Sequence, residues 1–455
     1  MATLVNFIGF ETGDASECFF IDGTSSIQSN IKRTGTYALR VNPTTTGIGY
    51  AGISSYSGAG VNAALNLSTA YIKFYFRYST KAASVFETIF YYTAAVNVKA
   101  YAVIDDVGHI QVYDKDSALI GTSTTTLDAD TWYRIEFKIG TGASANIELR
   151  INGRTEVSGT GNLDTGNGDY VYLGKVFDIA SQSVDFYYDD ISIASDTWIG
   201  ATETRALLAN ANGSFTSWTG TFADVDEIPH DSDTTYVSTS TNTNVESVGV
   251  QSTSTVGIDY NQINGIKTFA VVRRSGLVVN LLLRLYHPDL ILGGQDDTSG
   301  ADIDTVYSAL GKVYNGVPWG GSFTKSFVDD LEVGVVHNQA SVREARATSL
   351  LIMAEVPSFV TGNTNLIATG SLSSRGFKNC IGVIRPTSSN LLNISTKNIL
   401  VSKTAINSVT TINCVGSRIF NDSFSFTATG SLTSKSSNIK TGIANLTSSS
   451  SINIL

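Results

Sequence analysis

Between Thr131 and Val157 apolar and polar side chains alternate with a period of two. Tyr133, Ile135, Phe137 and Ile139 are interleaved with Arg134, Glu136 and Lys138. After a Gly-Thr-Gly-Ala-Ser run, Ile147, Leu149 and Ile151 are interleaved with Glu148, Arg150 and Asn152. A period of two puts every second side chain on one side of a pleat, so the stretch predicts an antiparallel hairpin with one wet face. Its apolar face needs a second sheet to lie against, which makes the expected unit a β-sandwich.

The same kind of short apolar run, bounded by Gly, Asn, Ser and Asp, recurs on both sides of this hairpin. From Leu4 to about Ala201 the runs around Phe7, Leu39, Phe74, Phe90, Ala102, Leu173 and Tyr188 suit one many-stranded sandwich. From about Arg205 to Pro357, the strand-length runs at 265–276, 277–286, 331–336 and 348–356 suit a second. The expected fold class is therefore all-β. Its expected organisation is two β-sandwich (jelly-roll) domains, 1–201 and 202–357, followed by a Ser/Thr-rich β-strand repeat segment, 358–455.

That last segment differs in pattern. Acids nearly vanish, Ser and Thr dominate, and Ala368-Thr-Gly-Ser-Leu-Ser-Ser-Arg375 returns as Ala428-Thr-Gly-Ser-Leu-Thr-Ser-Lys435. Composition alone suggests disorder. The recurrence of Leu391, Ile394, Ile399, Ile412, Ile419, Phe424 and Ile439 argues instead for short strands that bury little singly and stack on repeats or on identical chains. A β-stalk, an Ig-like repeat and an oligomeric tip all satisfy that pattern.

Composition sharpens the picture in three places. The chain has 455 residues, too many for one core, and its 41 Gly, 6 Pro and 15% charged residues leave little room for helix. Cys18, Cys380 and Cys414 are too few and too scattered for a disulfide framework or a zinc site. The formal charge of −10 is uneven: of 30 basic and 40 acidic residues, the stretch from Ser358 holds eight and one, so it carries +7 and the first 357 residues −17. An acidic body argues against nucleic acid as a partner. The opening MATLVNFIGFETGD lacks a basic stretch ahead of a long apolar run, so neither Sec export nor membrane insertion is expected.

Four histidines, His109, His230, His287 and His337, stand in no recognisable catalytic frame, and no nucleophile elbow, metalloprotease motif or phosphate loop is present. The chain is not expected to be an enzyme. Sugar binding needs aromatic faces with amides nearby, and Tyr50, Tyr56, Tyr91, Tyr92, Tyr170 and Tyr172 are candidates, with Asn97, Asn162 and Asn167. The acids Asp224, Asp226, Glu227, Asp231 and Asp233 keep a paired-carboxylate glycan depolymerase as the alternative, although Asp, Pro, Ser and Thr packed together ordinarily make a solvated turn.

Several stretches carry a family likeness. Thr131-Trp132-Tyr133 with Asn152-Gly153, together with Phe10-Glu11-Thr12-Gly13-Asp14, Arg33-Thr34-Gly35-Thr36-Tyr37-Ala38-Leu39 and Tyr188-Asp189-Asp190-Ile191, resembles the laminin-G/concanavalin-A-like jelly rolls of carbohydrate-binding modules. In many such modules the first and last strands pair and hold a structural Ca2+. The resemblance makes Glu11 and Asp190 the metal ligands, with carbonyls of the Thr34 to Tyr37 loop, and calcium does seek hard oxygens of this kind. The plain alternative is that Glu11, Asp189 and Asp190 are edge acids that discourage strand addition. Trp218-Thr-Gly, the run Val225 to Val237, Trp319 and the strand Ala345 to Val356 resemble domains of phage virion appendages. That likeness implies a tail fibre, neck fibre or capsid-decorating spike, made in the host cytoplasm and exposed on the particle. It implies other virion proteins as partners, a homo-oligomer with the trimer favoured, and host-surface glycan as ligand. A bacterial surface carbohydrate-binding protein is the competing class.

Overall fold

The computed structural model describes residues 1–42, 48–57, 60–80, 87–94, 97–176, 184–258, 262–275, 279–288, 294–298, 301–338 and 343–358, and beyond them the strand backbone between 372 and 454. The chain divides into two compact units, Met1–Pro357 and Ser358–Leu455. Among the described residues, the one α-helix is the short Lys325–Asp329.

The first seventeen strands run β1 (Leu4–Ile8), β2 (Phe20–Gly23), β3 (Ser25–Gln28), β4 (Ala38–Val41), β5 (Gly49–Ile53), β6 (Ser55–Ser57), β7 (Gly60–Ala63), β8 (Ala70–Tyr78) and β9 (Glu87–Ala94). They continue through β10 (Asn97–Ile104), β11 (Ile110–Asp114), β12 (Leu119–Thr122), β13 (Tyr133–Ile139), β14 (Ala145–Ile151), β15 (Arg154–Gly161), β16 (Tyr170–Lys175) and β17 (Phe186–Ala194). An eight-stranded sheet has the order β15-β14-β13-β8-β17-β4-β3, with β1 also on β17; a seven-stranded sheet has the order β12-β11-β10-β9-β16-β5-β2. The all-β jelly-roll class expected from the pattern is the class observed.

The Thr131–Val157 hairpin forms as its alternation predicts. Ile135, Phe137 and Ile139 of β13 face Ile151, Leu149 and Ile147 of β14, and all six are at most 2% exposed. On the other face Glu136 lies opposite Arg150 and Lys138 opposite Glu148, cross-strand pairs that favour this register. Phe137 meets the seven-stranded sheet through Phe90, ring centroids 4.4 Å apart and stacked, with Phe74 at 5.9 Å from Phe90. Each such side chain contributes about 1.5–3 kcal/mol by leaving water. The turn into β15 is Asn152-Gly153, both at positive φ (51° and 85°), the conformation a two-residue hairpin demands.

The second sandwich is a ten-stranded antiparallel sheet folded on itself. Its long strand Thr202–Thr216 pairs with Leu351–Pro357 along its first half and with Glu246–Val250 along its second, with bulges between Ala209 and Ala211 and between Asn212 and Thr216. Bulges bend a strand, which lets one strand serve both layers. Leu4 and Phe7 of β1 pack with Phe269, Val271, Leu351 and Met353 in a small core between the two sandwiches.

In the unit Ser358–Leu455 all described pairings are parallel. The register is Leu372↔Leu392↔Ile412↔Leu432↔Ile452 in one sheet and Ile399↔Ile419↔Ile439 in the other. Successive partners are twenty residues apart, so the chain winds as a β-solenoid, and the return of Ala-Thr-Gly-Ser-Leu at sixty residues spans three windings. Of the three forms that the pattern left open, the Ig-like repeat is the one this register corrects, because Ig sheets are antiparallel.

Candidate carbohydrate-binding face

The seven-stranded sheet turns Ala51, Ile53, Phe90, Tyr92, Ala100, Ala102, Val112, Val171 and Leu173 into the core. Alternation then sends their neighbours to the opposite face. There, adjacent strands are in register as Phe20↔Gly52, Gly52↔Tyr172, Tyr172↔Tyr91, Tyr91↔Tyr101 and Tyr101↔Tyr113. These residues form one row across six strands, with Gly52 the only member lacking an aromatic ring. A Cβ at Gly52 would come within 2.7 Å of the Phe20 ring, so the glycine lets that ring lie over the backbone.

At one end Phe19, Phe20, Tyr50, Tyr170 and Tyr172 touch in a cluster: Phe19 stacks on Tyr170 at 5.5 Å, and Phe20 meets Tyr50 edge-on at 5.4 Å. At the other end Tyr91, Tyr101 and Tyr113 stack successively at 5.3 and 5.0 Å, about one strand spacing apart. Apart from Tyr91, which is buried, these aromatics are half-buried.

Polar groups accompany the rings. Tyr113 donates to Gln111 Oε1 at 2.5 Å, and Tyr50 lies opposite Asp22 on the neighbouring strand. Burial pushes the Tyr91 and Tyr172 phenols above their ordinary range, so both keep their protons. Lys99, at the bulge of β10 between Val98 and Ala100, is buried and donates from Nζ to the carbonyls of Asp164 and Gly166. Rings for C–H faces, with hydroxyls and an amide beside them, are what a sugar surface requires.

Of the tyrosines singled out from sequence, Tyr50, Tyr91, Tyr170 and Tyr172 belong to this face. Tyr92 does not: it is fully buried between the sheets. The side chain of Tyr56 lies outside the described residues. Asn162 and Asn167 brace loops, donating to Asp116 and to Asn66, and Asn97 is exposed at the start of β10. Phe19, Phe20, Tyr101 and Tyr113 were not anticipated.

The proposed metal ligands sit elsewhere. β1 pairs with β17, Ile8 opposite Ile191, which brings the segments of Glu11 and Asp190 to one end of the eight-stranded sheet. Glu11 is 4% exposed and accepts from Thr36 N at 2.9 and 3.2 Å. Asp190, fully buried at φ 47°, accepts from Arg33 Nη1 at 2.5 Å, Thr34 Oγ1 at 2.8 Å and Thr204 N at 2.7 Å. Asp189 accepts from the Arg33 and Thr34 amides. Burial pushes the Glu11 carboxyl up to about 8, and the Glu17 and Asp190 charges add to it. Burial and the Asp190 charge also raise Asp189 well above its usual range. Carboxyl oxygens are the hard donors calcium seeks, and the charge here is answered in part by Arg33, paired with Asp190, and by Lys73, whose charge acts on the same carboxylate. Among the described residues, however, no three His, Cys, Asp or Glu side chains are grouped as a metal centre.

The acids at 224–233 serve local structure. Asp224 accepts from Thr221 N and Oγ1, Asp231 from Thr235 N and Oγ1, and Glu227 from Thr235 Oγ1. Asp233 pairs with Arg273 at 2.6 Å and Arg346 at 2.8 Å. His230 lies 3.2 Å from Asp14 across the two sandwiches.

No protein-family model matches the chain, and no curated protein matches it significantly. Solved structures do. "Cellulose induced protein, Cip1" is 18% identical at a TM-score of 0.35, covering 43% of this chain and 99% of that one. The endo-β-1,4-glucuronan lyase of the fungus Trichoderma reesei is 12% identical at 0.34, covering 43% and 96%. A conserved carbohydrate esterase of the Shiga toxin-encoding bacteriophage phi24B is 16% identical at 0.30, covering 43% and 100%. At these TM-scores the likenesses carry no functional argument.

Proposed function

We propose that the first sandwich binds carbohydrate through the outer face of its seven-stranded sheet. The observation that carries this is the row of Phe20, Tyr172, Tyr91, Tyr101 and Tyr113 in register across the strands. Affinity electrophoresis of the full chain in gels containing single polysaccharides tests it. Retardation that is lost in Tyr101→Ala and Tyr172→Ala supports the reading, and equal mobility in every gel ends it. The role is binding rather than catalysis; shortened or unsaturated products after incubation with a polymer would replace it with the depolymerase alternative.

The finer reading is that the chain is a host-facing appendage of a phage virion, made in the host cytoplasm and assembled as a homo-oligomer, with the trimer favoured. The likeness of Trp218–Gly220, Val225–Val237 and Ala345–Val356 to appendage domains supports it, as does a repeat unit suited to a stalk. Antibody labelling of purified particles tests the location, and mass in solution tests the stoichiometry. A structural Ca2+ at Glu11 and Asp190 belongs to the same reading, supported by the excess of buried carboxyls. A melting temperature at pH 8 that is unchanged by chelation would leave Arg33 and Lys73 as the cations that answer this cluster.

A further inference from the structure

We infer that the ligand of this face is an extended, uncharged polysaccharide chain running across the strands, rather than an acidic polymer or a single terminal sugar; this rests on the carbohydrate-binding reading above. The first part comes from length. Phe20, Tyr172, Tyr91, Tyr101 and Tyr113 stand at one level on β2, β16, β9, β10 and β11, with Gly52 of β5 between the first two. Five strand intervals of about 4.8 Å make a row about 24 Å long, which one sugar cannot occupy. The row lies along the hydrogen-bonding direction of the sheet, so a chain that follows it crosses the strands.

The second part comes from charge. Recognition of uronates or sulfated sugars relies on cationic side chains whose donors reach the anion. The row itself contains no Lys or Arg, and the lysine that β10 carries beside it is Lys99. It is fully buried, with its ammonium turned to the carbonyls of Asp164 and Gly166. Asp22 beside Tyr50 adds a negative charge, and the first 357 residues carry −17 overall. A polyanion is therefore repelled at long range and finds no counter-charge within the row itself. The polar groups of the row are its phenols, with Gln111 bonded to Tyr113, and these suit neutral hydroxyls.

The test uses the full chain and titration calorimetry with xylo- and cello-oligosaccharides of increasing length, against alginate oligosaccharides, at low and high NaCl. Affinity is expected to rise with length for a neutral series, to be insensitive to salt, and to fall about tenfold in Tyr101→Ala and in Tyr113→Ala while melting is unchanged. Affinity that levels off at a single sugar, or salt-sensitive preference for alginate, overturns this inference and leaves carbohydrate binding intact. Absence of binding to either series and to whole polymers removes the carbohydrate reading itself. Self-association lost in the same two variants would then assign the face to a second copy.

Discussion

The first sandwich has two outer faces, one on each antiparallel sheet, and they are chemically opposite. The outer face of the eight-stranded sheet carries Lys73, Arg77, Arg134, Glu136, Lys138, Glu148 and Arg150. The segment after β17 and the second sandwich cover part of it. Trp198 lies over Arg150 at 3.8 Å, Gly200 N donates to Glu136, and Lys73, 1% exposed, lies 3.8 Å from the buried Glu355 and donates to Thr202 Oγ1 at 2.6 Å. The outer face of the seven-stranded sheet carries rings and hydroxyls, half-open to solvent. The difference teaches that charge on a strand does not mark the functional face here. Charges that pair with a neighbouring domain become structure, whereas uncharged aromatics left half-exposed are free for a ligand.

The largest effect is expected at the closed face. Lys73→Met strands Glu355 in a sealed environment and should cost about 3–5 kcal/mol in denaturant unfolding, with much of the loss recovered in the double variant Lys73→Met/Glu355→Leu. A loss too small to resolve would mean the seam is wet and the contrast overstated. Next is pH. The folded Glu11 carboxyl titrates near 8, above its unfolded value, so the native state holds a proton that the unfolded chain releases. Stability should therefore fall as pH rises from the ordinary carboxylate range to about 8, and Glu11→Gln should flatten that slope. Glu246, raised by burial to about 7, contributes with the same sign. A slope identical in wild type and variant would show that Glu11 ionises freely.

Smaller effects probe the edges of the two faces. Arg150→Ala removes the contact with Trp198 and the 2.8 Å pair with Glu148, and should cost about 1 kcal/mol, read by thermal melting. Tyr113→Ala, at the end of the open row, should change stability by about 0.5 kcal/mol or less while weakening carbohydrate binding. A severe loss of stability there would make Tyr113 a packing residue and shorten the row.

Much of the sandwich was legible because its signal is local. The β13–β14 hairpin alternates cleanly, so Phe137 and Leu149 could be assigned inward before any partner was known. β9 is different: Ile89-Phe90-Tyr91-Tyr92 is apolar throughout, so alternation does not distinguish Tyr91, on the open face, from Tyr92, in the core. Phe20 was missed because β16, inserting between β5 and β9, is what joins its end of the row to the rest, a pairing of distant segments; Tyr101 and Tyr113 line up with Tyr91 only through the register of β9, β10 and β11. In the repeat unit the sixty-residue echo was visible, but the twenty-residue winding beneath it rests on little more than Leu372, Leu392, Ile412, Leu432 and Ile452.

What the amino-acid order determined by itself was the period of two, the Asn152-Gly153 turn and the all-β class, since each depends on residues within a few positions of one another. What only the tertiary structure decided was which acids and lysines are buried together and which rings share a face. Lys73 meets Glu355, and Asp190 meets Arg33, through segments brought together from far along the chain. Local sequence cannot encode that register, because the free energy that selects it comes from burial shared across two sheets and the neighbouring sandwich.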